Sequence, residues 1–305
     1  MTDLAPHELR ILVAVDRDRS FTAAATALGM SQSAVSHAVR GCERKLGAVL
    51  FERGRHGARP TPAGAQAAAH ARQILHLLAT LATETRAAAR QDAEVTGPLR
   101  IVAFRSAAAH LLPGVLARLK DRHPGLEPEL RIVREIGRGT AGEVADGHAE
   151  LGIATLGAAT GQAPSPTLPG LLAGRLFTEP YALAHPIGHP RPRTLPLVDW
   201  DENCGSYTRD WWRSQDWIPP ATVNVEDDTV TLSLVAQGLG MSIMPALTLL
   251  GAPPGVAVTG LGPQPPTRTV GYVTTPALAR TAAVRELIRE LRSAPAPVLV
   301  GQGSD

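Results

Sequence analysis

Cysteine is nearly absent from this chain: 305 residues carry two, Cys42 and Cys204. Their wide separation excludes a disulfide framework and fits a reducing cytoplasm, not a secreted scaffold. No apolar run approaches the roughly 18 residues a membrane-spanning helix needs. The polar opening MTDLAPHELR lacks the apolar stretch of a signal peptide. Ten histidines are present, but none has metal-ligand spacing or accompanies a cysteine pair, so no metal or cofactor is expected. Nucleophile-elbow, P-loop and dinucleotide signatures are all missing. Lysine occurs only as Lys45 and Lys120; nearly all 30 basic residues are arginine, a bias of GC-rich coding.

The length suits two or three domains, and 44% hydrophobic with 19% charged residues is a globular balance. The net charge of +2 hides an asymmetry. Residues 1–92 hold twelve Lys/Arg against eight Asp/Glu, whereas residues 93–305 hold eighteen against twenty. The N-terminal third is the basic third, a mild lean toward nucleic acid that motifs must decide.

Leu9, Leu12 and Val13 form the apolar stripe of a first helix. Ser20 can cap a second, Phe21 to Leu28, which Gly29 stops; Ser31 can cap a third, Gln32 to about Lys45, which Gly47 ends. Two short helices across a glycine turn make a helix-turn-helix. On the third, Ala34, Val35, Ala38, Val39, Cys42 and Leu46 supply the apolar face, leaving Gln32, Ser33, Ser36, His37 and Arg40 to project outward. Gln can bond adenine, Arg guanine, and Ser or His base edges or phosphates; an ordinary solvated helix face is the alternative. Val49 to Phe51 then read as a strand. Arg53, Arg55 and Arg59 follow among glycines, as in a two-stranded wing reaching phosphates or the minor groove.

Thr61 and Pro62 open a long helix running to about Asp92. Along it Ala67, Ala71, Ile74, Leu78, Leu81, Thr85 and Ala88 recur at 4,3,4,3,4,3 spacing, the seam of a helix that pairs with a second copy or packs on the chain's own domains. Beyond Pro98 strands and helices alternate, which predicts a parallel sheet with crossover helices.

Together these residues carry a resemblance. SFTAAATALGMSQSAVSHAV, then KLGAVLFER and TPAG, resembles the winged helix-turn-helix of LysR-type transcriptional regulators, and LLPGVLARLKDRHPGLEPEL with LVAQGLGMSIMP resembles their effector domain. Cys42 and Pro60 stand where the family usually has leucine, and Glu150 where aspartate is usual. The resemblance implies an α/β multidomain chain: a winged domain at 4–61, a linker and dimerisation helix at 62–92, and a two-lobed periplasmic-binding-protein-like domain. Its first lobe would span 98–169 and 269–292 and its second 170–268; the residues 293–305, SAPAPVLVGQGSD, read by their composition as a frayed tail.

The implied function is sequence-specific binding of double-stranded DNA by a dimer or tetramer, controlled by a small molecule between the lobes. The implied pocket comprises Arg105 and Ser106, Gly137, Arg138 and Thr140, Cys204, Ser206 and Tyr207, and Asp227 and Thr229. Strand ends and helix N-termini offer N–H groups suited to a carboxylate, and Arg105 can add a charge pair. Two rivals remain open. Cys204 can be an oxidant sensor, a pocket wall or a buried apolar residue, and an enzyme or solute-binding protein can carry an incidental helix-turn-helix. Trp200, Trp211, Trp212 and Trp217 can line the pocket or pack the second lobe.

Overall fold

The computed structural model describes residues 3–54, 57–89, 95–156, 169–201 and 211–296. Three short helices, α1 (Pro6–Asp18), α2 (Phe21–Leu28) and α3 (Gln32–Leu46), close around Leu12, Val15, Ala24, Val35 and Val39. Local chemistry sets their ends. Ser20 Oγ accepts the Ala23 N–H and Ser31 Oγ the Ala34 N–H, each at 3.2 Å. Gly29 and Gly47 end α2 and α3 in the left-handed conformation. Lys45 Nζ, at the end of α3, lies 2.8 Å from Glu8 in the first turn of α1.

Strands β1 (Phe51–Gly54) and β2 (Gly57–Pro60) pair antiparallel as the wing. The Thr61 hydroxyl donates to the Val49 carbonyl at 2.7 Å and accepts the Gly64 N–H at 3.0 Å, which opens α4 (Pro62–Ala89). Gly64 presses on the wing so closely that an added Cβ would collide with the Leu50 carbonyl, so this turn of α4 admits only glycine. The apolar seam of α4 divides. Ala71 is buried and Ala67 half-buried, the latter against the winged-domain core. Ile74, Leu78 and Leu81 are 45%, 40% and 62% exposed. Residues 90–92 lie outside the described residues.

Beyond the linker, β3 (Gly97–Ala103), β4 (Leu126–Ile132) and β5 (Leu151–Thr155) run parallel. Helices α5 (Arg105–His110), α6 (Leu112–Arg122) and α7 (Gly139–Ala145) connect them. The sheet differs from the all-parallel expectation, because β6 (Leu172–Pro186) and β11 (Thr267–Thr274) lie antiparallel to one another and β11 antiparallel to β5. One carries the chain into the second lobe and the other brings it back, so opposite directions are forced.

Strand β6 serves both lobes. Leu172–Pro180 pair with β11, and Tyr181–Pro186 pair with β9 (Ser242–Pro245) or β10 (Val256–Gly260). The crossing therefore falls inside the segment expected as the second lobe. Strands β7 (Leu197–Trp200) and β8 (Ala221–Val225) pair parallel, and a Leu197–Met241 bridge links β7 to the residue before β9. Helices α8 (Asp228–Ala236), α9 (Ala246–Leu249) and α10 (Ala282–Ser293) complete the fold. Trp212, Trp211 and Trp217 pack with Leu183, Met241 and Ile243, while Trp200 packs with Leu232, Val235 and Met244. The tryptophans serve the second lobe's packing.

Candidate nucleic-acid interface and interlobe cleft

Along α3, Gln32, Ser33, His37 and Arg40 are exposed, and no acid stands among them. Arg44 is exposed too and extends the row at helical spacing from Ser33 through His37 and Arg40. It lies one turn beyond Arg40, the last residue of the expected set. Ser36 departs from expectation, being only 7% exposed. Its position one residue after Val35 and three before Val39, both fully buried, turns it toward the domain's interior. In the wing, Arg59 is exposed on β2. Arg53 belongs to β1, and Arg55 lies outside the described residues. Glu43 supports this geometry: its carboxylate accepts the Leu50 N–H at 2.9 Å and fixes how β1 leaves α3.

The start of α5 and the loop after β4, both in lobe 1, reach two segments of lobe 2. Arg105, following β3, donates to Asp227 and lies 3.3 Å from Asp228 and 3.4 Å from Thr229 Oγ1. Arg134, following β4, reaches Asp201 at 3.2 Å and Glu226 at 3.3 Å. Asp227 is also the N-cap of α8, accepting from Thr229 N at 2.8 Å and Val230 N at 3.1 Å. Burial opposes its ionisation, but Arg105 and these donors outweigh burial and hold the carboxyl down to about 2. The Arg105–Asp227 pair therefore stays charged throughout the neutral range.

The other expected cleft residues divide. Gly137 is exposed with φ +61°. Ser106 is buried, with the Arg268 Nη2 at 3.4 Å from its hydroxyl. Thr140 is fully buried, its N–H and hydroxyl both bonded to Glu135 at 3.0 Å. Arg138 pairs with Asp146 at 2.8 Å, beyond the far end of α7. The free N–H expected at α7 is thus already taken, because Glu135 sits five residues upstream and folds back as a cap. Cys204, Ser206 and Tyr207 lie outside the described residues. Cys42 is a sealed thiol: burial, then Glu8, pushes its pKa up to about 11.

Residues 6–65 match the bacterial regulatory helix-turn-helix protein, lysR family, and residues 92–296 match the LysR substrate binding domain. The chain belongs to the LysR family of transcriptional regulators. Among curated relatives of this LysR-family chain is the probable HTH-type transcriptional regulator LrrA of Synechococcus elongatus. It is 32% identical over 275 residues, covering 87% of this chain and 88% of the relative. A probable hydrogen peroxide-inducible genes activator of Streptomyces viridosporus is 31% identical over 303 residues, covering 94% and 93%. A full-length OxyR variant from Pseudomonas aeruginosa shares the fold with a TM-score of 0.69 at 23% identity, over 95% of each chain. The LysR family is one of cytoplasmic DNA-binding regulators with an effector domain, not of enzymes, so the enzyme reading fails.

Proposed function

We propose that this LysR-family regulator reads DNA as a homodimer through α3 and the wing, and that its effector carries a carboxylate which competes with Asp227 for Arg105. The Arg105–Asp227 contact carries the effector reading. Asp227 presents to Arg105 the group that an acidic effector would present, so exchanging one carboxylate for the other conserves the charge pair and frees lobe 2. Because the pair is ionised across neutral pH, a ligand rather than a proton is what can part it.

Removing the competitor tests the idea. Asp227→Ala is expected to bind its carboxylate about tenfold more tightly than the unaltered protein, in calorimetric titrations with mono- and dicarboxylates, and Arg105→Ala to lose that binding. If amines bound and no carboxylate bound either protein, the acidic-effector reading would be wrong.

Dimerisation is supported by the exposed stretch Ile74, Leu78 and Leu81 at the helical repeat of a paired seam. Leu78→Glu is expected to give monomers in light scattering, while circular dichroism shows its helix content unchanged. A dimer persisting in that variant would place the pairing elsewhere.

A second reading draws on the peroxide-inducible activators among the relatives. Cys204 would then respond to oxidant without Cys42, whose thiol is sealed. Operator binding that responds equally to peroxide in Cys204→Ser and the unaltered protein excludes this reading.

A further inference from the structure

Helix α4 has two opposite faces. Ile74, Leu78 and Leu81 lie on one, while Arg72, Gln73 and His76 on the other are bonded to neighbouring domains. The Arg72 guanidinium is divided. One Nη donates to Asp16 near the end of α1, and the other donates at 2.8 Å to the carbonyl of Asp146, just past α7. Arg72 and Asp16 are each 9% exposed in their side chains. Gln73 Nε2 donates to the Ala145 carbonyl at 3.2 Å. Gly147, with φ +73°, approaches so closely that an added Cβ would lie 2.9 Å from both the Ala69 carbonyl and Arg72 Cβ. One turn on, His76 Nδ1 lies 3.3 Å from Glu150, whose carboxylate also holds Arg100 Nε of β3 at 2.9 Å.

The opposite end of α7 meets the cleft. Thr140 is bonded to Glu135, which adjoins Arg134, and Arg134 crosses to Asp201 and Glu226 of lobe 2. Seven residues of helix, about 10 Å, separate these interlobe contacts from Arg72. Past Arg72, Asp16 holds Arg19 at 3.2 Å, and the Arg19 carbonyl accepts the Ala58 N–H of the wing at 2.8 Å.

We infer that α7 is a strut transmitting movement of the lobes to the winged domain of the same chain, and that Arg72 is its joint. The inference rests on the reading that the cleft is where the effector acts. Arg72 suits the role because a planar guanidinium holds a carboxylate and a carbonyl at once, fixing α1 and α7 in one geometry. Lysine keeps the charge toward Asp16 but has no second fixed arm for the Asp146 carbonyl. Movement of α7 then turns α1 and the wing as one body, a coupling additional to that along the linker chain.

The test needs no effector, because Asp227→Ala loosens the lobes from within. Amide hydrogen exchange of the full-length protein is measured in six forms: unaltered, Arg72→Lys and Gly147→Ala, each with and without Asp227→Ala. Asp227→Ala is expected to speed exchange in α7 and in the last turn of α1 about fivefold or more, the low end of ordinary coupling. In the Arg72→Lys background the α7 change should persist while the α1 change falls below twofold. Gly147→Ala, which forces α7 away from α4, should uncouple the two segments in the same way even if Arg72→Lys disturbs folding. An α1 response undiminished in both backgrounds overturns the strut, as does an Asp227→Ala effect confined to the cleft. Either result leaves the carboxylate titrations standing, and their failure in turn would leave these exchange data intact.

Discussion

Replacing Arg268 with methionine while Glu179 remains is expected to destabilise the effector domain by about 3–5 kcal/mol in urea titrations, the largest effect of any substitution considered. Arg268 Nε lies 2.7 Å from Glu179, with side-chain exposures of 6% and 3%. The two face each other across β6 and β11, where the chain crosses between lobes. Glu179 also accepts the Leu247 N–H at the start of α9, and Arg268 stacks 4.8 Å over the Phe104 ring. Deleting the cation strands a carboxylate that water cannot reach. The paired substitution Arg268→Met with Glu179→Leu removes both charges and should recover most of the loss, since a buried ion pair contributes little net stability over apolar residues of similar volume. If the double variant were as unstable as the single one, the stranded charge would not be the cause. At this crossing the pair ties both interlobe strands to the start of α9.

Arg40→Ala is expected to weaken binding to an operator selected from a random DNA library by about 1–3 kcal/mol, with discrimination lost at one base position. The exposed row on α3 offers a long cation at the helix midpoint, a side chain able to contact guanine in a bidentate way, and Gln32, Ser33 and His37 in that row carry no acid. Arg59, on the wing, should behave differently. Its loss is expected to weaken specific and non-specific binding alike and to reduce the salt slope by about one. Fluorescence anisotropy at several salt concentrations separates the two. Equal losses on selected and scrambled DNA for Arg40→Ala would make it a phosphate contact and refute base reading.

Much of the winged domain was legible because its determinants are local. Ser20 and Ser31 cap, Gly29 and Gly47 stop, and Val35 and Val39 fall in phase, all within a few residues of the elements they shape. Ser36 failed at the edge of that logic: helical phase alone cannot say which flank of a stripe a third helix will cover. That Leu172–Pro186 is one strand, running through Gly174 and Pro180 and shared by two lobes, is decided by its pairing with β11 and not by any local pattern. Arg44 could have been found by continuing the spacing of Ser33, His37 and Arg40 one turn further.

Element types, caps, the order of domains and the family were thus determined by sequence alone, since short-range sterics, hydrogen-bond capping and periodicity are written in neighbouring residues. What only the tertiary structure decided is which polar groups are already spoken for. Arg105 is held by Asp227, 122 residues away, and Arg72 meets Asp146 across 74. Such pairings depend on how lobes and linker are brought together in space, and no local pattern encodes the distance between two side chains that far apart in the chain.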